Sequence, residues 1–84
     1  MTPQKKKTAR GRNIIGRRIR VARQRLKPVV TIKDFAARLN VRGLDLDRPT
    51  VTRIENGKRY IRDYEIKTIA KTLGVTVAWL FTEE

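Results

Sequence analysis

Five short apolar stripes, each recurring every three to four residues, constrain this chain more than any other feature. Ile15, Ile19, Ala22 and Leu26 make the first, and Ile32, Phe35, Ala36 and Leu39 the second. Val51 and Ile54 are the third, Ile66, Ile69, Ala70 and Leu73 the fourth, and Val75 and Leu80 bracket the last. That spacing puts one side of an α-helix against a core. Asn13, Thr31, Asp47 and Thr76 stand where a side-chain oxygen can accept from the free N–H groups of a first helical turn, and the fourth helix begins near Asp63. Asp34, three residues after Thr31, gives a carboxylate version of the capping box, and Val75 with Leu80 is spaced as a hydrophobic staple. Pro49 is tolerated in a first turn. Pro28 with Val29 and Val30 stops the first helix, Gly57 and Gly74 close the third and fourth, and Asn40 to Leu46 reads as a loop turning at Gly43. Strand-length alternation bounded by hairpin turns is absent, as are internal repeats. The expected fold is all-α, with five helices.

The 84 residues suffice for one domain and one modest core. Residues 13–84 are assigned to it. Residues 1–12, MTPQKKKTARGR, hold five basic groups, no acid and no large apolar side chain after Met1. Such a segment cannot bury enough surface to offset its ordering entropy, so it reads as a disordered basic arm. It serves either as a solubilising tail or as an arm along phosphates or in a minor groove.

The absence of cysteine removes disulfides and thiolate metal ligands. The absence of histidine removes the commonest general base and zinc ligand. The carboxylates are scattered, and Asp45 with Asp47 on a loop is too little for a metal-dependent nuclease. The chain therefore reads as a non-enzyme without cofactor or metal. No apolar run approaches the roughly 18–20 residues of a membrane span, and no signal peptide is apparent, so the expected location is cytoplasmic. Charge is the positive indication: 21 Lys and Arg against 8 Asp and Glu, a net +13. Residues 1–62 hold 19 of the basic groups and four of the acids, whereas residues 63–84 carry two basic groups and four acids. Charge this large repels itself, and a polyanionic partner relieves it. Nucleic acid is favoured over an anionic membrane surface or mere solubility.

Residue order sharpens that reading. Val51-Thr52-Arg53-Ile54-Glu55-Asn56-Gly57-Lys58-Arg59 resembles the end of the recognition helix in the lambda-repressor-like, or Cro/XRE-type, helix-turn-helix family. Ile15-Gly16-Arg17-Arg18-Ile19-Arg20 resembles that family's first helix, and residues 69–80, IAKTLGVTVAWL, its last two. The resemblance spans residues 13–82 with its three matches in order. It implies a five-helix domain that binds double-stranded DNA as a transcriptional regulator, a repressor by expectation, commonly as a homodimer. Two features depart from the family. Leu39 lies fifteen residues before Ile54 instead of ten, a turn about five residues longer. Ile32 stands just after the second helix cap, where the family often has a phosphate-touching glutamine; either Lys33 takes that contact over or it is lost.

A helical wheel assigns roles independently. With each residue turning the helix by about 100°, and Val51 at zero, Ile54 lies near 300° and Glu55 near 40°. Thr52, Asn56, Pro49 and Arg53 lie between about 100° and 200°, opposite the core. The expected base readers are Arg48, Pro49, Thr52 and Arg53. Arginine's fork matches guanine O6 and N7, threonine can hydrogen-bond or touch a thymine methyl, and proline offers only an apolar contact. The bland alternative is an ordinary solvated face. Asn56, Lys58 and Arg59 match family positions that contact phosphate, and an amide and two cations suit that task. Thr31 and Lys33, at a helix N-terminus with free N–H groups, form a second expected phosphate site, with simple capping as the alternative.

Glu55 flanks the core stripe, and so does Arg23 on the first helix. The resemblance pairs the matching residues in a partly buried salt bridge, so both are assigned a structural role; the rival is Arg23 as a phosphate ligand. Trp79, Leu80 and Phe81 crowd the end of a very short helix. Leu80 is expected in the core, and Trp79 and Phe81 are candidates for the dimer interface that the family commonly forms through its last helix. Two rival functions use the same chain: an antitoxin or adaptor that docks another protein, and a non-specific nucleic-acid binder. An RNA binder would be expected to expose aromatic rings. Tyr60 and Tyr64 are the only candidates, and packing at the start of the fourth helix is the simpler account of them.

Overall fold

The computed structural model describes residues 11–82, in which five helices follow one another: α1 (Gly16–Arg25), α2 (Ile32–Val41), α3 (Arg48–Glu55), α4 (Asp63–Leu73) and α5 (Val77–Leu80). There is no strand among the described residues. The expected caps are made at Thr31, Asp47 and Thr76, while Asn13 acts from two residues before the cap position of the first helix, Ile15. Asn13 Oδ1 accepts from the N–H groups of Ile15 and Gly16, Thr31 Oγ1 from Asp34, Asp47 Oδ1 from Thr50 and Thr76 Oγ1 from Trp79. Each satisfies donors that a helix start otherwise leaves free.

The core is drawn from every helix: Ile15, Ile19, Phe35, Leu39, Val51, Ile54, Ile69, Leu73 and Leu80 are all buried. α3 lies against both α1 and α2, while α4 backs α1 and α2 and carries α5 on its end. With four residues, α5 is too short to be stable by propensity. It is held by Leu80, which is fully buried.

Several details differ from the reading of the sequence. α2 runs on through Asn40 and Val41, so the turn to α3 begins only at Arg42. It starts as a Schellman motif: Leu44 N–H donates to Leu39 O and Gly43 N–H to Asn40 O, with Gly43 at φ 91°. Leu44, placed in the loop from sequence, joins the core, and Leu46 packs on its edge. The same motif ends α3, where Lys58 N–H reaches Arg53 O and Gly57 N–H reaches Ile54 O.

Ile32 and Ile66 are only half-buried. At the start of α4 the fully buried position belongs instead to Glu65. Tyr60 and Tyr64 are exposed, so packing does not account for them. Arg12, assigned to the arm, is tied to the domain: its N–H donates to Gly57 O and its guanidinium lies 5.6 Å from the centre of the Tyr60 ring. Residues 1–10 of the arm lie outside the described residues.

Candidate nucleic-acid interface

The inner side and the C-terminal end of α3 are over-determined. Val51 and Ile54 are buried against the core. At Gly16, a Cβ would come within 2.2 Å of Ile54 O and 2.9 Å of Glu55 O, so only glycine lets α1 cross α3 this closely. Asn13 Nδ2 donates to two carbonyls at that end, Ile54 O at 3.1 Å and Arg59 O at 2.8 Å.

Glu55 is 3% exposed and meets Arg23 side-on: Nε to Oε2 is 2.6 Å and Nη2 to Oε1 2.9 Å. The third nitrogen of that guanidinium, Nη1, donates to Val30 O at 2.9 Å. Arg23 thus joins α1, the approach to α2 and the end of α3 with every terminal nitrogen engaged, which leaves it no free edge for a phosphate. Arg20, which the sequence reading did not single out, adds a 3.4 Å contact to Glu55 and donates to Asn56 Oδ1.

The outer face is the converse. Arg48, Pro49, Thr52 and Arg53 are all exposed. Arg53 Nη2 donates to Thr50 Oγ1 one turn back, which aims the guanidinium along the outside of the helix toward its N-terminus. There the Asp47 carboxyl is held below its usual range, chiefly by hydrogen bonds from Thr50 and then by the charge of Arg53. Arg48 makes no hydrogen bond or ion pair with another of the described residues. Arg48, Pro49 and Thr52 come together with Ile32, the first residue of α2, around an open hollow of about 430 Å³.

The expected phosphate ligands divide. Thr31, Lys33, Asn56 and Lys58 are exposed. The hydroxyl oxygen of Thr31 serves as a cap, and the oxygen of Asn56 is held by Arg20, which leaves the amide nitrogen of Asn56 outward. Arg59 is committed inward: Nη1 and Nη2 donate to the two carboxylate oxygens of buried Glu65 at 3.0 and 3.3 Å. Burial pushes the Glu65 carboxyl up, but the hydrogen bonds from Arg59 and the Arg62 N–H, with both positive charges, outweigh it and hold it below the ordinary value of 4.5. The sequence carried a signal for the inward turn of Glu65, since an acid three residues past a helix cap commonly turns back to it, but none for Arg59 as its partner.

At the far end, Trp79 is half-buried. The Arg18 guanidinium lies 3.6 Å from the centre of its ring, and Nε and Nη2 of Arg18 donate to its carbonyl. A cation packed so closely on an indole covers one face of it. Phe81 is 46% exposed and borders a cleft of about 300 Å³ with Ile14, Ile61 and Ile66. Among the described residues, no helix is long and apolar enough to cross a membrane, and no group of acids could hold a metal ion.

A family model described as Helix-turn-helix matches residues 19–80, which takes in α2, α3, α4 and α5 whole. No curated protein and no solved structure matches the chain.

Proposed function

The chain belongs to the Helix-turn-helix family, of Cro/XRE, lambda-repressor-like type, whose members are DNA-binding regulators, and from that premise we propose that it is a sequence-specific repressor reading the major groove with α3. One observation carries the reading. α3 is locked along its inner side and C-terminal end, while Arg48, Pro49, Thr52 and Arg53 face outward with side chains available to base edges. A major groove admits a helix presented in this way.

Thr31 and Lys33 at the start of α2, and Asn56 and Lys58 beyond α3, flank the reading face as phosphate ligands. Arg59 supports them through its charge and is shared with Glu65. The basic residues of segment 1–10 add sequence-independent attraction. Repression is the simplest output, because occupying a promoter needs no surface beyond the DNA-binding one. The protein acts in the cytoplasm as a binding protein, without cofactor. It binds as a homodimer whose contact includes Phe81, the cleft beside it and the open edge of Trp79.

A single measurement series tests this. The preferred duplex is selected from a random pool at near-physiological salt, and single-base variants of it are titrated. Arg53→Ala costs about 1–3 kcal/mol on that duplex and relaxes preference at one or two base pairs. If neither Arg53→Ala nor Arg48→Ala changes the ranking of the variants, α3 is not the reader and a protein-docking role takes its place. The exposed Tyr60 and Tyr64 favour one competing reading, stacking on unpaired bases. Single-stranded competitor that displaces the duplex at equal nucleotide concentration would favour it.

A further inference from the structure

We propose that the hollow between the N-terminal ends of α2 and α3 seats the C5 methyl group of a thymine, making Ile32 a specificity-determining residue alongside the outer face of α3. The proposal rests on the reading of α3 as a major-groove helix. Its lining is Ile32 from α2 and Arg48, Pro49 and Thr52 from the first turns of α3.

The chemistry of that lining selects the occupant. Ile32 has no polar side-chain atom, and Pro49 lacks even a backbone N–H. Thr52 contributes a methyl as well as a hydroxyl. The single charge, Arg48, is exposed at the rim. Of the side chains in the lining, those of Ile32 and Pro49 cannot donate, so the body of the hollow suits an apolar group, while the free N–H groups at the start of α2 remain for the neighbouring phosphate. In the major groove the base edges present donors, acceptors and only one apolar group, the thymine methyl. An apolar hollow on the face turned toward that groove therefore has one partner to meet there. Arg48 at its rim matches O6 and N7 of a guanine. The expected site is a thymine beside a guanine.

Ile32 is half-buried and packs on the core from below, so its position does not depend on DNA. Its side chain is thus assigned to a base, whereas the corresponding contact expected from the resemblance was to the backbone. A 5-methylcytosine carries the same C5 methyl, and the experiment separates the two sources.

The test uses the full chain and its selected duplex, with each thymine replaced in turn by deoxyuridine, which removes only the methyl. At one position the replacement weakens binding about fourfold, the equivalent of ~0.8 kcal/mol for one buried methyl-sized group. At that position the thymine-to-uridine affinity ratio falls toward one in Ile32→Ala and drops partway in Thr52→Ser. A ratio measured on one protein is insensitive to any loss of folded fraction in the variant. Silence at every thymine, or a ratio unchanged in both variants, overturns the proposal while leaving the selected site intact. Failure to select any preferred duplex overturns the reading of α3 and this proposal with it. With cytosine and 5-methylcytosine at the sensitive position, thymine is expected to bind at least as tightly as 5-methylcytosine; tighter binding of the latter overturns the choice of thymine.

Discussion

Glu55→Ala removes a carboxylate that ties two arginines to the end of α3. In the folded protein Arg23 is 7% exposed, and the substitution leaves its Nε and Nη2 without acceptors in a dry site while Nη1 keeps Val30 O. Breaking one side of a buried pair typically costs about 3–5 kcal/mol. A domain of this size has only about 4–12 kcal/mol in total, at roughly 0.05–0.15 kcal/mol per residue. The variant therefore loses from about a quarter to all of its stability. Asp45→Ala is the comparison: an exposed carboxylate with one hydrogen bond, from Asn40 Nδ2, worth less than about 1 kcal/mol. Urea titration followed by the fluorescence of Trp79, the one tryptophan, reads both. With a slope of about 1 kcal/mol per molar urea, the Glu55→Ala midpoint falls by roughly 3 M or more and that of Asp45→Ala by less than about 1 M. Equal midpoints would refute the structural role of Glu55. Pairing Glu55→Leu with Arg23→Met should recover much of the loss, because an apolar pair strands no charge. If the double variant stays as unstable as Glu55→Ala, the loss comes from packing between α1 and α3 instead.

Three other outcomes are expected. Binding to duplex DNA should involve at least about four phosphates, giving a slope of log K against log salt steeper than roughly −3; Lys58→Ala should flatten it by about one unit and weaken all duplexes alike, as titrations at several salt concentrations would show. Gly16→Ala should destabilise by about 1–3 kcal/mol or more in thermal melts, since the new Cβ meets backbone that cannot rotate away, and it should weaken DNA binding by displacing α3. Because folding holds the Glu65 carboxyl low, its contribution is present above the ordinary glutamate value of 4.5 and is lost as pH falls through the lower folded value. Urea midpoints for Glu65→Gln and wild type should therefore converge on acidification; a constant gap would show that the charge of Glu65 is not what matters.

The fold was legible because it rests on local signals. Thr31, Asp47 and Thr76 cap where their side chains and spacing require, and Gly57 and Gly74 take the positive φ that ends a helix there. What escaped the sequence depends on how side chains meet in the folded chain, which helical spacing does not give. Leu44 looks like loop until the Schellman turn at Gly43 swings it back onto the core. Arg59 looks like any surface cation until Glu65, six residues on, is found buried beneath it. Arg18 and Trp79 are 61 residues apart, and no periodicity joins them. The outward position of Arg48, Pro49, Thr52 and Arg53 was available from a wheel, because a helix with a buried Val51 and Ile54 has no other side to offer. The place of Ile32 beside them was not, since it depends on how α2 and α3 cross.

That crossing is where the longer turn bears on function. Six residues, Arg42 to Asp47, separate α2 from α3, and an unanchored linker of that length would leave the angle between them soft. Two things prevent it. Leu44 pins the start of the turn and Asp47 caps its end, so little of the span is free to move. More important, the orientation of α3 is fixed from its other end, where Gly16, Asn13 and Arg23 of the α1 region seize Ile54 and Glu55. A helix held at its C-terminus by α1 can tolerate a longer approach at its N-terminus. The N-terminal end is then the one that carries Arg48 and Pro49 and meets Ile32, which puts the added length of the turn beside the part of α3 proposed to read the DNA.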